Sequence, residues 1–150
     1  MSTALNPSPN GPYVGALMRM IWQWVWERNY AGVAAAGYDD ITPAHVAMFR
    51  YPTLDWRRPT EIAEQLQISK QSAHELITHL EQHGYITRVP DPTDRRARIV
   101  RLTDRGRQLE RTINQLARGS ELHIAELLGA RRFAQLRLAL EELTSKLSTE

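Results

Sequence analysis

Over residues 70–82, Ala73, Leu76, Ile77 and Leu80 repeat at i, i+3, i+4 and i+7, the spacing of one buried helical face. The opposite face carries Gln71, Glu75, Thr78 and Gln82, flanked by Lys70, Ser72, His74 and His79, with no large apolar residue among them. Such side chains can donate to and accept from base edges. Glutamine pairs with adenine, a carboxylate accepts from the cytosine amino group, and lysine or serine suits phosphate or base. A major groove admits one helix of this kind, with its N-terminal residues against the bases. An ordinary amphipathic surface helix has the same pattern, so this segment alone leaves both readings open.

A second concentration of chemistry follows. In residues 88–107 seven arginines (88, 95, 96, 98, 101, 105 and 107) stand against three aspartates (91, 94 and 104), while the whole chain carries a net charge of only +2. A local basic patch is the usual footprint of a phosphate-binding surface. Residues 85–89 and 98–102 alternate in polarity around a turn-rich stretch at 90–97, which predicts a β-hairpin with a long basic loop. At its tip Arg95, Arg96 and Arg98 suit a narrow, negative minor groove, and Asp94 is placed to hold a neighbouring guanidinium in a bidentate pair. A solvated loop explains these tip residues equally well in isolation. In sequence, a short helix, a tight turn, the polar-faced helix and the basic hairpin form a winged helix-turn-helix over 42–103.

The flanking segments must hold this unit. Val14, Leu17, Met18, Ile21, Trp22 and Val25 predict a helix over 14–36. Trp24 and Trp26 lie beyond both edges of that stripe and widen the apolar arc past what one core face needs, which points to burial against a second subunit as well. Thr42-Pro43 and Pro59 start two short helices, the first predicted to reach Tyr51, and Ser69 caps the polar-faced one. Thr103 or Asp104 begins a long helix. After Gly129 a last helix carries Phe133, Leu136, Leu140, Leu143 and Leu147 at the alternating steps of three and four used by helices that pair. The expectation is a mainly α fold with a two-stranded β-wing: a disordered tail at 1–12, a single domain at 13–150, and dimerisation helices at 13–38 and 104–150.

Composition narrows the function classes. The 150 residues contain no cysteine, which excludes disulfides, thiolate metal ligands and thiol redox sensing. The stretch 14–36 is broken by Arg19, Gln23, Glu27, Arg28 and Asn29, so a membrane span is not expected, and a cytoplasmic location is. There is no glycine-rich phosphate loop, no Ser-His-Asp spacing and no evident carboxylate pair, so no enzyme is expected, and no cofactor. His79 and His83 share a helix face and are spaced to chelate, but no third ligand is fixed nearby; surface histidines are the expectation, with no metal. His45 and His123 read as isolated.

From 42 to 109 the chain resembles the MarR (multiple antibiotic resistance regulator) family of bacterial transcription factors. The resemblance rests on Glu61-Ile62-Ala63-Glu64-Gln65-Leu66, on Leu80-Glu81-Gln82-His83-Gly84-Tyr85, and above all on Asp91-Pro92-Thr93-Asp94-Arg95-Arg96-Ala97-Arg98 followed by Val100-Arg101-Leu102-Thr103-Asp104-Arg105-Gly106. It implies a homodimer built from the first and last helices, a palindromic operator of double-stranded DNA, and repression or activation relieved by a small phenolic or aromatic effector, with repression the reading adopted. It makes Arg96 the wing arginine and Asp94 its supporting carboxylate. Where the family often has a basic residue this chain has Glu75, which suits orienting Lys70 or Gln71 more than reading a base. A flat effector would lie near Trp22, Trp26, His45 and Phe49, although tryptophans at helical spacing are more often core or interface. The competing class is a helical protein–protein adaptor that uses a winged helix without DNA.

Overall fold

The computed structural model describes residues 11–50 and 53–149. The tail expected at 1–12 falls almost entirely outside them, as do Tyr51 and Pro52. The elements run α1 (Val14–Ala35), α2 (Pro43–Met48), α3 (Pro59–Leu66), α4 (Lys70–Gln82), β1 (Ile86–Pro90), β2 (Arg98–Leu102), α5 (Asp104–Leu128) and α6 (Ala130–Leu147). The fold is mainly helical with one two-stranded antiparallel sheet, as the sequence predicts.

Local chemistry sets the boundaries. Ser69 Oγ accepts the Ser72 amide at 3.0 Å, and Thr103 Oγ1, not Asp104, takes the capping role for α5 by accepting the Gly106 amide at 3.1 Å. At the start of α2 the Thr42 amide donates to His45 Nδ1 at 3.1 Å, so a histidine stands where a capping box usually has Glu or Gln. That helix stops at Met48, short of the predicted Tyr51. The amides of Phe49 and Arg50 fall back on the carbonyls three residues earlier, and the Phe49 side chain turns into the core. Gly84, at φ +76°, takes the left-handed turn that frees the chain to leave α4 for the hairpin.

β1 and β2 pair from Ile86 opposite Leu102 to Pro90 opposite Arg98. Sequence periodicity gives no sign of a third rung. The Trp56 amide donates to the Val100 carbonyl at 2.9 Å and the Val100 amide donates to the Arg57 carbonyl at 2.8 Å, so the approach to α3 closes the outer edge of β2. Trp56 does this from a left-handed backbone, φ 65°, that few non-glycine residues adopt. The Arg101 guanidinium covers its indole at 3.4 Å.

One core joins the helix-turn-helix, the wing and the first half of α5. Ile62, Ile77, Leu80, Tyr85, Val100 and Leu109 meet there, all essentially inaccessible. α1 lies along α5, where Asn29 and Ser120 share a buried hydrogen bond of 2.7 Å. By contrast α6 has no buried residue in the isolated chain, and α1 leaves Leu17, Met18, Met20, Ile21 and Trp22 exposed.

The tightest approach in the core is at Gly106, where a Cβ would lie 2.0 Å from the Tyr85 carbonyl oxygen. A backbone atom cannot yield as a side-chain tip can. Gly106→Ala is therefore expected to cost about 1–3 kcal/mol of stability. Urea denaturation measures it, and an unchanged midpoint would refute the reading.

Candidate nucleic-acid interface

The back of α4 is sealed by Ala73, Ile77 and Leu80, and its front is open: Lys70, Gln71, Ser72, His74 and Glu75 are all exposed. Gln71 Nε2 donates to Glu75 Oε1 at 3.2 Å. Glu75 thus orients Gln71, leaving the glutamine carbonyl and a second amide hydrogen for the two-bond contact an adenine edge requires. Ser72 Oγ pairs with Ser69 Oγ at 2.9 Å. Thr78 is half-buried at the wing side, where its hydroxyl accepts from Arg88 Nη2 at 3.3 Å.

The basic run divides into paired and unpaired arginines. Arg88 grips Glu81 of α4 through Nε and Nη2 at 3.0 and 2.6 Å, and this pairing holds the Glu81 carboxyl below its usual range. Arg101 and Arg107 share Asp55, while Arg105 reaches Asp40 and the Tyr85 hydroxyl. The remaining three stand apart. Arg95, Arg96 and Arg98 are exposed, and among the described residues none is paired with a carboxylate; Arg98 reaches only the Arg88 carbonyl, at 3.3 Å. The excess positive charge of this region is thereby concentrated at the wing tip.

One expectation needs correction. Asp94 does not hold a guanidinium. Its Oδ1 accepts the Arg96 backbone amide at 3.0 Å, an Asx turn that shapes the tip. In the wing loop the carboxylate bound to a guanidinium is Asp91, buried and bonded to Arg58. Donation from the Thr93 amide and hydroxyl, together with Arg58, overcomes burial and pulls the Asp91 carboxyl down to about 2.

Three of the four residues expected around an effector gather at Arg50. Trp22 and Trp26 stack at 6.2 Å, and Arg50 lies over both rings at 4.2 and 3.9 Å. Burial pushes the Arg50 guanidinium down to about 10. Phe49 and Arg50 border a cleft of about 350 Å³ with Thr53, Arg57, Glu110 and Asn114. His45 belongs elsewhere. It is buried at the foot of α2 and, contrary to the expectation of an isolated ring, stacks at 4.4 Å on His79, which stacks at 4.0 Å on His83. Parallel rings do not aim their nitrogens at one ion, and no group among the described residues is arranged to hold a metal.

A model of the MarR family matches residues 40–97, which run from the approach to α2 through the wing tip. Over these residues the chain is similar to the MarR family. The transcriptional activatory protein BadR of Rhodopseudomonas palustris is 36% identical over 55 residues, 37% of this chain, and the match spans 31% of BadR's own length. Among solved structures, the transcriptional repressor CouR, solved on a 23-mer DNA duplex, is 28% identical, with 90% of this chain and 92% of that one covered at a TM-score of 0.67. Apo MarR from E. coli has the same fold at 21% identity, with 89% and 98% covered and a TM-score of 0.72. MarR-family members are transcription regulators and not enzymes, in agreement with the expectation of no enzyme. No helix among the described residues is long and apolar enough to cross a membrane.

Two residue pairs that organise this MarR-type wing escape sequence reasoning. Arg88 and Glu81 are seven apart with a turn between them, and Arg58 and Asp91 are 33 apart, so no periodicity links either pair. One signal is available: arginine at the N-cap of α3, a position whose side chain normally accepts a hydrogen bond.

His45 has a consequence for acid stability. Burial and the neighbouring His79 push its imidazole down to about 4, against an ordinary 6.5, and its Nε2 has no hydrogen-bond partner among the described residues. The folded chain keeps the ring neutral while the unfolded chain takes up a proton below about pH 6.5. The contribution is intact above that pH and is lost progressively as pH falls towards 4, by at most about 3 kcal/mol. His45→Gln retains the capping box and should flatten thermal stability between pH 7 and pH 4.5 relative to the parent. Parallel pH profiles would rule this out.

Proposed function

We propose that the chain is a sequence-specific transcription regulator that binds a palindromic operator as a C2 homodimer. In this reading α4 enters the major groove and the wing reaches the adjacent minor groove. The observation that carries it is the set of three arginines without carboxylate partners among the described residues, presented beside a helix whose outer face is wholly polar. Elsewhere in the basic run the protein neutralises its own arginines. Leaving three uncompensated at one projecting tip suits a polyanion, and CouR, solved on a DNA duplex, shares the fold. Lys70, Gln71, Ser72, His74 and Glu75 form the reading face, with Thr78 at its wing-side margin; Asp94, Arg95, Arg96 and Arg98 form the tip.

Dimerisation is proposed from α1 and α6. Leu136, Leu140, Leu143 and Leu147 remain exposed on the last helix, and with the open stripe of α1 they form an apolar surface larger than a monomer tolerates in water. An isologous pairing covers both copies at once. The proposed sign is repression, because the likeness to the repressor CouR extends over 90% of the chain whereas that to the activatory BadR covers 37%. A small aromatic effector is proposed at the Trp22, Trp26 and Arg50 cluster beside Phe49.

Arg96→Ala should weaken binding to the chain's own upstream DNA by about 1–3 kcal/mol at fixed salt, as loss of a specific contact does. Gln71→Ala should instead alter the preferred base at one operator position. Anisotropy titrations against single-base operator variants measure both, and a protein adaptor would show no salt-dependent binding at all. Truncation after Leu128 should yield monomers on a sizing column; a surviving dimer would remove α6 from the interface.

A further inference from the structure

Arg58 fills the N-cap of α3, yet arginine has no acceptor with which to cap. Its backbone amide is satisfied by Glu61 Oε2 at 2.8 Å, and its side chain leaves the helix altogether. Nε and Nη2 lie 2.7 and 2.6 Å from Oδ2 of Asp91, the first residue after β1. The other oxygen, Oδ1, accepts the Thr93 amide at 2.8 Å and the Thr93 hydroxyl at 2.7 Å. Both ends of this link are anchored. On one side Trp56 and Arg57 are stitched to β2 through Val100; on the other, the buried carboxylate is built into the turn that leads to the tip.

Inside the loop, Asp91 and Ala97 bond through the Asp91 amide, the Ala97 amide bonds the Asp94 carbonyl, and Asp94 Oδ1 holds the Arg96 amide. These bonds fix the shape of the tip but not its direction relative to α4. Arg88 ties the base of the hairpin to Glu81 of α4, and the Arg58–Asp91 ion pair ties down the turn from which the tip projects.

We propose that Arg58 is a positioning residue for the wing, setting through Asp91 where Arg95 and Arg96 stand relative to the recognition helix. The proposal rests on the reading of the wing as a DNA contact. Without Arg58, Asp91 Oδ2 loses both of its donors. A buried carboxylate oxygen without a partner is costly, and the turn relieves it by swinging outward into water. The arginines that follow in the loop move with it.

The test is a double-mutant cycle on the full chain, read by anisotropy with its own upstream DNA at fixed salt and over a salt series. Arg58→Met should weaken binding about fivefold or more, and Arg58→Lys, which keeps a donor for Asp91, should recover most of that. Added to Arg96→Ala, Arg58→Met should cost less than about twofold more, because both act through the wing, yet it should keep its full effect on Gln71→Ala. Arg58→Met should flatten the salt slope in the parent, as the wing arginines leave the DNA, and by less in the Arg96→Ala background. Arg58→Gln, whose amide is too short to reach Asp91, carries the same expectations, so the test does not depend on one variant folding. If the losses from Arg58→Met and Arg96→Ala multiply, or if Arg58→Met flattens the slope equally in both backgrounds, Arg58 acts on phosphate directly and the proposal is overturned. If Arg96→Ala alone has no effect, the wing reading fails, and the positioning role falls with it.

Discussion

A tyrosine whose hydroxyl is sealed inside a protein must find its hydrogen-bond partners there, and Tyr85 finds them on two elements far apart in the chain. It donates to Asp40 Oδ1 at 2.6 Å, in the connection between α1 and α2, and accepts from Arg105 Nη2 at 2.9 Å, in the first turn of α5. Its backbone is committed as well: the amide bonds the Leu80 carbonyl at the end of α4, and the carbonyl accepts the Thr103 amide at the start of α5. Burial and the Asp40 bond raise the phenol to about 12, so this junction does not titrate in the working range. Several elements are thus referenced to one residue. The glycine at 106 follows from it, because α5 can approach the Tyr85 carbonyl only where no Cβ intervenes.

From that junction the charged residues sort themselves. Arginines near the body of the fold meet carboxylates: Arg88 meets Glu81, Arg101 and Arg107 meet Asp55, and Arg105 meets Asp40. These pairs are mostly half-exposed and contribute little individually to stability. Their effect is geometric, since each joins the hairpin or α5 to another element. Arg95, Arg96 and Arg98, which project beyond the body, meet none among the described residues. A sequence count of basic residues cannot make this distinction, because it depends on which aspartate lies within reach after folding.

The elements are legible in the sequence where the determinant is local. Ser69, Gly84 and the Ala73–Ile77–Leu80 spacing define α4, and the alternation on either side of residues 90–97 defines the hairpin. The second helix reads as too long because Phe49 obeys the core and not the helical repeat. Asp94 invites a match with a guanidinium because arginines adjoin it in sequence, whereas its oxygen is captured by a main-chain amide two residues on. His45 reads as isolated because its neighbour His79 lies on another helix. The aromatic cluster is legible as composition only; that Arg50 covers Trp22 and Trp26 depends on how α2 ends.

The 25-residue α5 begins at the Tyr85 junction and runs out along α1 to the exposed apolar surface near α6. At 1.5 Å per residue it is a rod about 37 Å long. A tilt of about 5° displaces one end by about 3 Å, close to the 3.4 Å rise between successive base pairs. In a dimer joined at the far ends of two such rods, a side-chain rearrangement too small to disturb either core changes the span between the two reading heads by a whole step of the DNA ladder. In the proposed dimer, α5 is a gear that trades small movements beside the aromatic cluster for large ones at the proposed operator.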